Sequence, residues 1–266
     1  MLIGVDFSSR PTRRKPIVVA AGERAGDGVH LQGLQRFDSL EAFGRWLAMP
    51  AAWIGAFDFP FGLPRELVEH LRWPTDWLAC MRHYAALPRA EVRATFAAFC
   101  AARPAGAKFA HRACDRPARS SPSMKWVNPP VAYMLHAGVP LLLEAGVHLP
   151  ALHEGDRSRT ALEAYPGLLA RELVGTRSYK SDEAARQTSE RLVARMAIVD
   201  ALEQGATRLK LRLLLDADQR ELLINDASGD SLDAALCLLQ AAWGAQRPNY
   251  GLPDAVDPLE GWIVSA

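Results

Sequence analysis

Several acidic residues stand where solubility does not require them. Asp6 closes the apolar run Leu-Ile-Gly-Val, Asp58 closes Trp-Ile-Gly-Ala-Phe, and Glu163 ends the shorter run Thr-Ala-Leu. Asp233 falls in the first turn of a nearly all-apolar helical stretch, with Asp230 ahead of it on the same face. A charge beside a buried strand is costly unless it is paired or binds a metal. Ligands of open α/β sheets gather at the carboxyl ends of parallel strands, and neighbouring strands lie only about 5 Å apart. Carboxylates that close repel one another unless a cation lies between them. Oxygen-only donors select magnesium or manganese over zinc or copper, and paired ions of this kind cleave phosphodiesters. The expected chemistry is therefore phosphodiester hydrolysis by a two-metal mechanism. Asp6, Asp58, Glu163 and Asp233 are its candidate catalytic carboxylates, and the same residues with Asp230 are candidate ligands for Mg2+ or Mn2+.

Each acid also has a plainer reading. Asp6 and Asp58 suit the start of a turn, and Glu163 suits a solvated acid near a helix start. Asp230 suits an N-cap with Asp233 at the third helical position. The set is more specific than any member.

The elements that must position these residues can be read from the spacing of apolar side chains. Met1 to Phe7, Pro16 to Ala21 and Val29 to Phe37 read as strands of an antiparallel meander. Asp38 or Ser39 caps a helix from Leu40 to Ala48, and Pro50 ends it. Ala51 to Phe59 is a second continuous apolar strand, which suggests a buried parallel neighbour of the first. From about residue 65 to 150 an insertion is mostly helical in spacing, interrupted by a Pro- and Ser-rich basic loop from Arg103 to Pro130. Thr160 to Ala164 is a short strand, and Pro166 suits the first position of the next helix. Glu183 to Glu203 reads as an amphipathic helix, and Leu209 to Leu215 suits either strand or helix. Ser228 to Trp243 is a helix with little polar face, so it packs on a sheet or deep in the core. The expectation is one α/β domain over residues 1–266, with a mixed sheet of a three-strand antiparallel meander plus parallel strands, flanked by helices.

Gly4-Val5-Asp6-Phe7, Ile54-Gly55-Ala56-Phe57-Asp58-Phe59-Pro60-Phe61-Gly62, Glu163-Ala164-Tyr165-Pro166 and Asp230-Ser231-Leu232-Asp233-Ala234-Ala235 occur in that order. This series resembles the predicted nucleases of domain-of-unknown-function family 429, from Ile3 to about Gly244. The resemblance implies an RNase H-like fold, related in outline to the Holliday-junction resolvase RuvC. It further implies an acid on the first strand at Asp6, on the fourth strand at Asp58, a further acid at Glu163, and one on the C-terminal helix at Asp233, joined by Asp230. RuvC-type enzymes carry Glu on the fourth strand, and this chain has the shorter Asp58.

The 266 residues are 49% hydrophobic with a net charge of +1, which allows a large core and excludes a globally basic nucleic-acid binder. Any nucleic-acid contact must be local. Arg112, Arg116, Arg119 and Lys125 in the basic loop, with Lys180 further on, are candidate phosphate contacts, and Trp126 could stack on a base. The same loop also reads as a solvated surface. Cys80, Cys100, Cys114 and Cys237 form no Cys-x-x-Cys pair, which argues against a structural zinc site and a disulfide framework. No phosphate-binding glycine loop and no convincing Ser-His-Asp set is present. No stretch reads as a signal peptide or bilayer span, so the expected setting is cytoplasmic, with nucleic acid as partner, no membrane and an open oligomeric state. A non-catalytic nucleic-acid- or nucleotide-binding module of the same fold, and a small-molecule phosphoesterase, are the alternatives.

Overall fold

The computed structural model describes residues 1–266. Strands β1 (Leu2–Asp6), β2 (Ile17–Ala25) and β3 (Gly28–Phe37) form the expected antiparallel meander. Strand β4 (Trp53–Phe57) runs parallel to β1, and β6 (Asp156–Glu163) runs parallel to β4. The short strands β5 (Val147–His148) and β7 (Arg212–Leu214) complete a seven-stranded mixed sheet in the order β5-β6-β4-β1-β2-β3-β7. This is the α/β, RNase H-like arrangement expected from the sequence.

Helices cover both faces. On one lies α10 (Asp230–Gly244), against β1, β2 and β4, with α7 (Pro166–Val174), α8 (Ser189–Glu203) and α9 (Ala217–Asn225) around it. Every residue of α10 except Trp243 is buried, as its lack of a polar face requires. On the other face lie α1 (Leu40–Leu47), α2 (Arg65–His70), α3 (Trp77–Ala86), α4 (Arg89–Ala101) and α6 (Val131–Glu144). The short α5 (Asp115–Ala118) follows the basic loop's first half. Strand alternation divides the core between these layers. Ile3 and Val5 of β1 join Phe43, Leu67 and Val92, whereas Leu2 joins the core of α10. Asp6 follows in phase with Leu2 and Gly4, and so faces α10.

Gly4 sets how closely α10 approaches. A Cβ there would lie 2.1 Å from both the Ala234 carbonyl oxygen and the Leu238 amide nitrogen. The helix backbone therefore rests directly on the strand, which draws Asp233 toward Asp6. Gly4→Ala is expected to cost about 1–3 kcal/mol, as overpacking of a filled core does. Thermal denaturation checks this, and an unchanged Tm would mean that helix and strand are not pressed together.

Some boundaries differ from expectation. The helix expected from Glu183 begins at Ser189, after a 3-10 turn at Ala184–Arg186. Residues 183–188 offer no apolar side chain larger than Ala to bury. Strand β6 starts at Asp156 rather than Thr160, and its polar first half is largely exposed. The ambiguous Leu209–Leu215 stretch contains a short strand, parallel to β3. Ser39, not Asp38, caps α1, accepting from the Ala42 N–H at 3.2 Å. Gly229, with φ of 78°, takes the N-cap of α10, so Asp230 is its first helical residue. No helix is long and apolar enough to cross a membrane.

Candidate metal centre

Register brings the first two acids together. Val5 pairs with Phe57 across the parallel β1 and β4, so Asp6 and Asp58 leave their strands side by side. The Asp58 N–H donates to the Val5 carbonyl at 2.9 Å, which holds this exit. Helix α10 supplies the third acid. One oxygen from each of Asp6, Asp58 and Asp233 lies within 4.8 Å of the others. Asp233 is fully buried and Asp6 only 9% exposed.

Asp233 is firmly oriented. The Tyr179 hydroxyl donates to its Oδ1 at 2.5 Å, and the Lys180 ammonium is paired with its Oδ2. Burial and the Asp233 charge push the Tyr179 phenol well above its ordinary pKa, so it remains a donor. Burial would lower Lys180, but Asp233 and its neighbours outweigh that and hold the ammonium well above its usual value. A single ammonium stands against clustered carboxylates, so the charge is not balanced. Burial first, then Asp233, pushes the Asp58 carboxyl up to about 7 and raises Asp6 well above the usual carboxylate range.

Asp230 borders the same cleft and is 4% exposed. Its Oδ2 is buried with no hydrogen-bond partner, and burial, then Asp226, raises its carboxyl. Buried polar atoms are normally satisfied, so this orphaned oxygen beside an acidic cluster fits the donor set of a cation site. The donors are all carboxylates, which suit Mg2+ or Mn2+. Cys237 is nearby but buried, and its thiol is pushed well above the ordinary value, so it is a neutral, inert neighbour.

A pH dependence follows. An unfolded Asp titrates at about 3.9, whereas folded Asp58 stands at about 7. Between those values the folded state binds more protons, so rising pH lowers stability until Asp58 is ionised. Metal-free wild type is expected to lose Tm relative to Asp58→Asn from about pH 4 to 7 and then level off. Metal affinity should rise over the same window, because the cation displaces the proton. Denaturation in a chelator across pH checks the first, and a flat difference between the two proteins would show a solvated carboxylate.

Glu163 does not join this cluster. It ends β6 opposite Phe57 in register, yet both of its oxygens are engaged. Arg112 donates from Nη2 to Oε1 at 2.6 Å and from Nη1 to Oε2 at 2.7 Å, and the Phe61 N–H donates to Oε2 at 2.9 Å. Arg112 itself is 2% exposed and also reaches Asp115 Oδ1 and the Glu260 carbonyl. Burial alone would lower its pKa, but Glu163 holds it well above. The metal role expected for Glu163 and the phosphate role expected for Arg112 thus give way to one buried ion pair. A guanidinium neutralises the third strand-end acid, where a metal ion was expected.

Arg112 and Glu163 still line the cleft over the carboxylates, as do Ser120 and Ser121 of the loop, but the other basic candidates of the loop do not. Arg116 is exposed beside a separate hollow of about 340 Å³, with Arg103 and His111. Arg119 is exposed, its carbonyl accepting from Arg171 at 2.9 Å, and Lys125 is half-buried away from the cleft. Lys180 is the basic candidate that does stand at the carboxylates. Tyr179 was not anticipated as an orienting group, although it adjoins Lys180 in sequence. Glu260 was not anticipated either. Its carboxylate accepts from the Arg65 and Ala113 amides at 2.8 Å, tying the C-terminal segment to the wall.

The cleft over these residues measures about 1210 Å³ and includes Asp6, Asp58, Asp230, Tyr179 and Lys180 in its lining. The profile of the family described as "Protein of unknown function (DUF429)" matches residues 4–255. The chain belongs to this family. The DUF429 match contains Asp6, Asp58, Asp230 and Asp233, and also the Arg112–Glu163 pair. No curated protein and no solved structure matches the chain.

Proposed function

We propose that this DUF429 protein is a metal-dependent phosphodiesterase that acts on nucleic acid. The observation that carries the reading is the group of Asp6, Asp58 and Asp233 oxygens within 4.8 Å of one another at the end of parallel strands. Asp6 and Asp58 would hold the metal with Asp233, and Asp230 offers its unpartnered oxygen beside them. A bound Mg2+ or Mn2+ would neutralise these carboxylates and withdraw charge from a phosphoryl oxygen. Tyr179 keeps Asp233 aimed through its donated hydrogen bond. The Lys180 side chain is 42% exposed, so its ammonium can meet a phosphate oxygen at the cleft while remaining near Asp233. A covalent mechanism finds little support, since the nearest thiol, Cys237, is buried and neutral. The cleft volume of about 1210 Å³ exceeds the range of about 300–1,000 Å³ usual for small-molecule pockets, which favours a longer substrate.

The test is hydrolysis of single- and double-stranded DNA, RNA and bis(p-nitrophenyl) phosphate with Mg2+, Mn2+ or a chelator. Cleavage of polynucleotide that requires metal is expected. Cleavage undiminished by chelator would overturn the reading. Metal binding without any cleavage would favour a binding module, and cleavage of the small diester alone would favour a small-molecule phosphoesterase.

A further inference from the structure

The cleft has walls from opposite faces of the sheet, and each wall repeats the same pair of side chains. On one side stand Arg89 of α4 and Tyr133 of α6, helices whose buried faces join the core around Val5. On the other stand Tyr165 and Arg171 at α7, whose Leu169 and Val174 join the core of α10. Asp6 and Asp58 lie at the sheet end between them. The Arg89 guanidinium carbon is 5.1 Å from the Tyr133 ring centre, and that of Arg171 is 6.0 Å from the Tyr165 ring centre.

Neither arginine is neutralised by an acid. Arg89 donates to the Ser9 carbonyl at 2.8 Å, and Arg171 to the Arg119 carbonyl at 2.9 Å and the Tyr165 hydroxyl at 3.2 Å. Arg10, Arg93 and Arg177 line the cleft and also lack a carboxylate partner. Arg112, which also lines the cleft, is instead committed to Glu163 and Asp115. Unpaired guanidinium groups flanking an acidic floor suit phosphates spaced to either side of it, and Arg recognises phosphate through its planar fork. The half-buried tyrosine rings beside them line the cleft and suit bases, which stack on aromatic rings only when unpaired from a duplex. A substrate that ended at the reacting phosphate would need only one such wall.

We propose that a single strand of nucleic acid crosses the cleft from the Arg89–Tyr133 wall to the Tyr165–Arg171 wall, so that cleavage occurs within the strand and requires no free end. This rests on the phosphodiesterase reading above. Lys15 and Asp182 form an ion pair at the cleft lining with both side chains about half exposed. Such pairs are weak and screened by salt, so this one does not bar a strand from entering.

The experiment follows circular single-stranded DNA and circular RNA with Mn2+, beside linear strands of the same sequence. Circles are expected to be linearised at rates within about tenfold of the first cut in linear strands. Arg89→Ala and Arg171→Ala are each expected to raise KM for oligonucleotide about tenfold, the loss of one phosphate contact. Each should flatten the salt dependence of KM and leave hydrolysis of bis(p-nitrophenyl) phosphate unchanged. Tm values confirm that both variants fold, and Arg89→Lys and Arg171→Lys serve if they do not. Linear strands cut while circles resist would overturn the crossing and leave the phosphodiesterase reading standing. So would a KM effect at one wall only. Should no phosphodiester be cut, the activity itself fails, and anisotropy of a labelled single strand decides the crossing. Equal binding by wild type and both variants would overturn it.

Discussion

Asp6→Asn is expected to lower kcat by about a thousandfold or more, the scale of losing electrostatic stabilisation of a transition state, and yet to make the metal-free protein more stable. Asp6 ends a strand whose every residue is buried. Burial first, then the charges of Asp233, Asp230 and Asp58, oppose its ionisation, with Lys180 the countering charge. Asparagine keeps the volume and removes the charge. In a chelator the variant should therefore melt higher, by about 2–4 °C for each kcal/mol of repulsion relieved. With Mn2+ the order should reverse. A ligand at a hundred times its Kd stabilises by about 2.7 kcal/mol, and Asp6→Asn forfeits most of that gain. Melting curves of both proteins with and without Mn2+ should cross in this way. A variant less stable than wild type in chelator would show that Asp6 has a protein partner and that the cluster is not built to hold a cation.

The second large effect is on folding. Arg112→Met is expected to destabilise the protein by about 3–5 kcal/mol, the usual consequence of removing one partner from a buried pair. Glu163 would lose the donors to both of its oxygens except the Phe61 N–H. Asp115, also buried, would lose its guanidinium as well. Arg112→Met combined with Glu163→Leu should regain part of the loss, since an apolar replacement removes the stranded charge. Chemical denaturation of the single and double variants checks this. The same pair separates Glu163 from the metal cluster. Glu163→Gln should keep Mn2+ affinity within a few-fold of wild type, whereas Asp58→Asn should lose it about a hundredfold. Equal losses would place Glu163 among the ligands.

Long apolar runs made the main frame legible. Strands β1 and β4 and helix α10 are continuous stretches whose side chains have almost no water-facing alternative, and acids closing such runs stand out as Asp6 and Asp58 do. Asp233 was legible because α10 has no polar face on which an acid could be solvated. Glu163 was read by the same logic and does line the cleft, but it is ion-paired there, because its partner Arg112 lies 51 residues away in a loop that looks solvated. Nothing local marks an arginine that will be buried. Strands β5 and β7 are too short to carry a pattern, with 2 and 3 residues. Arg10, Arg89 and Arg171 sit in separate elements with no common spacing, and only the folded sheet gathers them around the cleft.

Anomalous diffraction from a crystal soaked in Mn2+ tests the central claim most directly. The account predicts a peak bonded to oxygens of Asp6, Asp58 and Asp233, at about the 2.0–2.2 Å typical of small divalent ions with carboxylate oxygen. A saturating soak with no peak at these carboxylates, or one whose peak rests on Glu163 with Arg112 displaced, would contradict it.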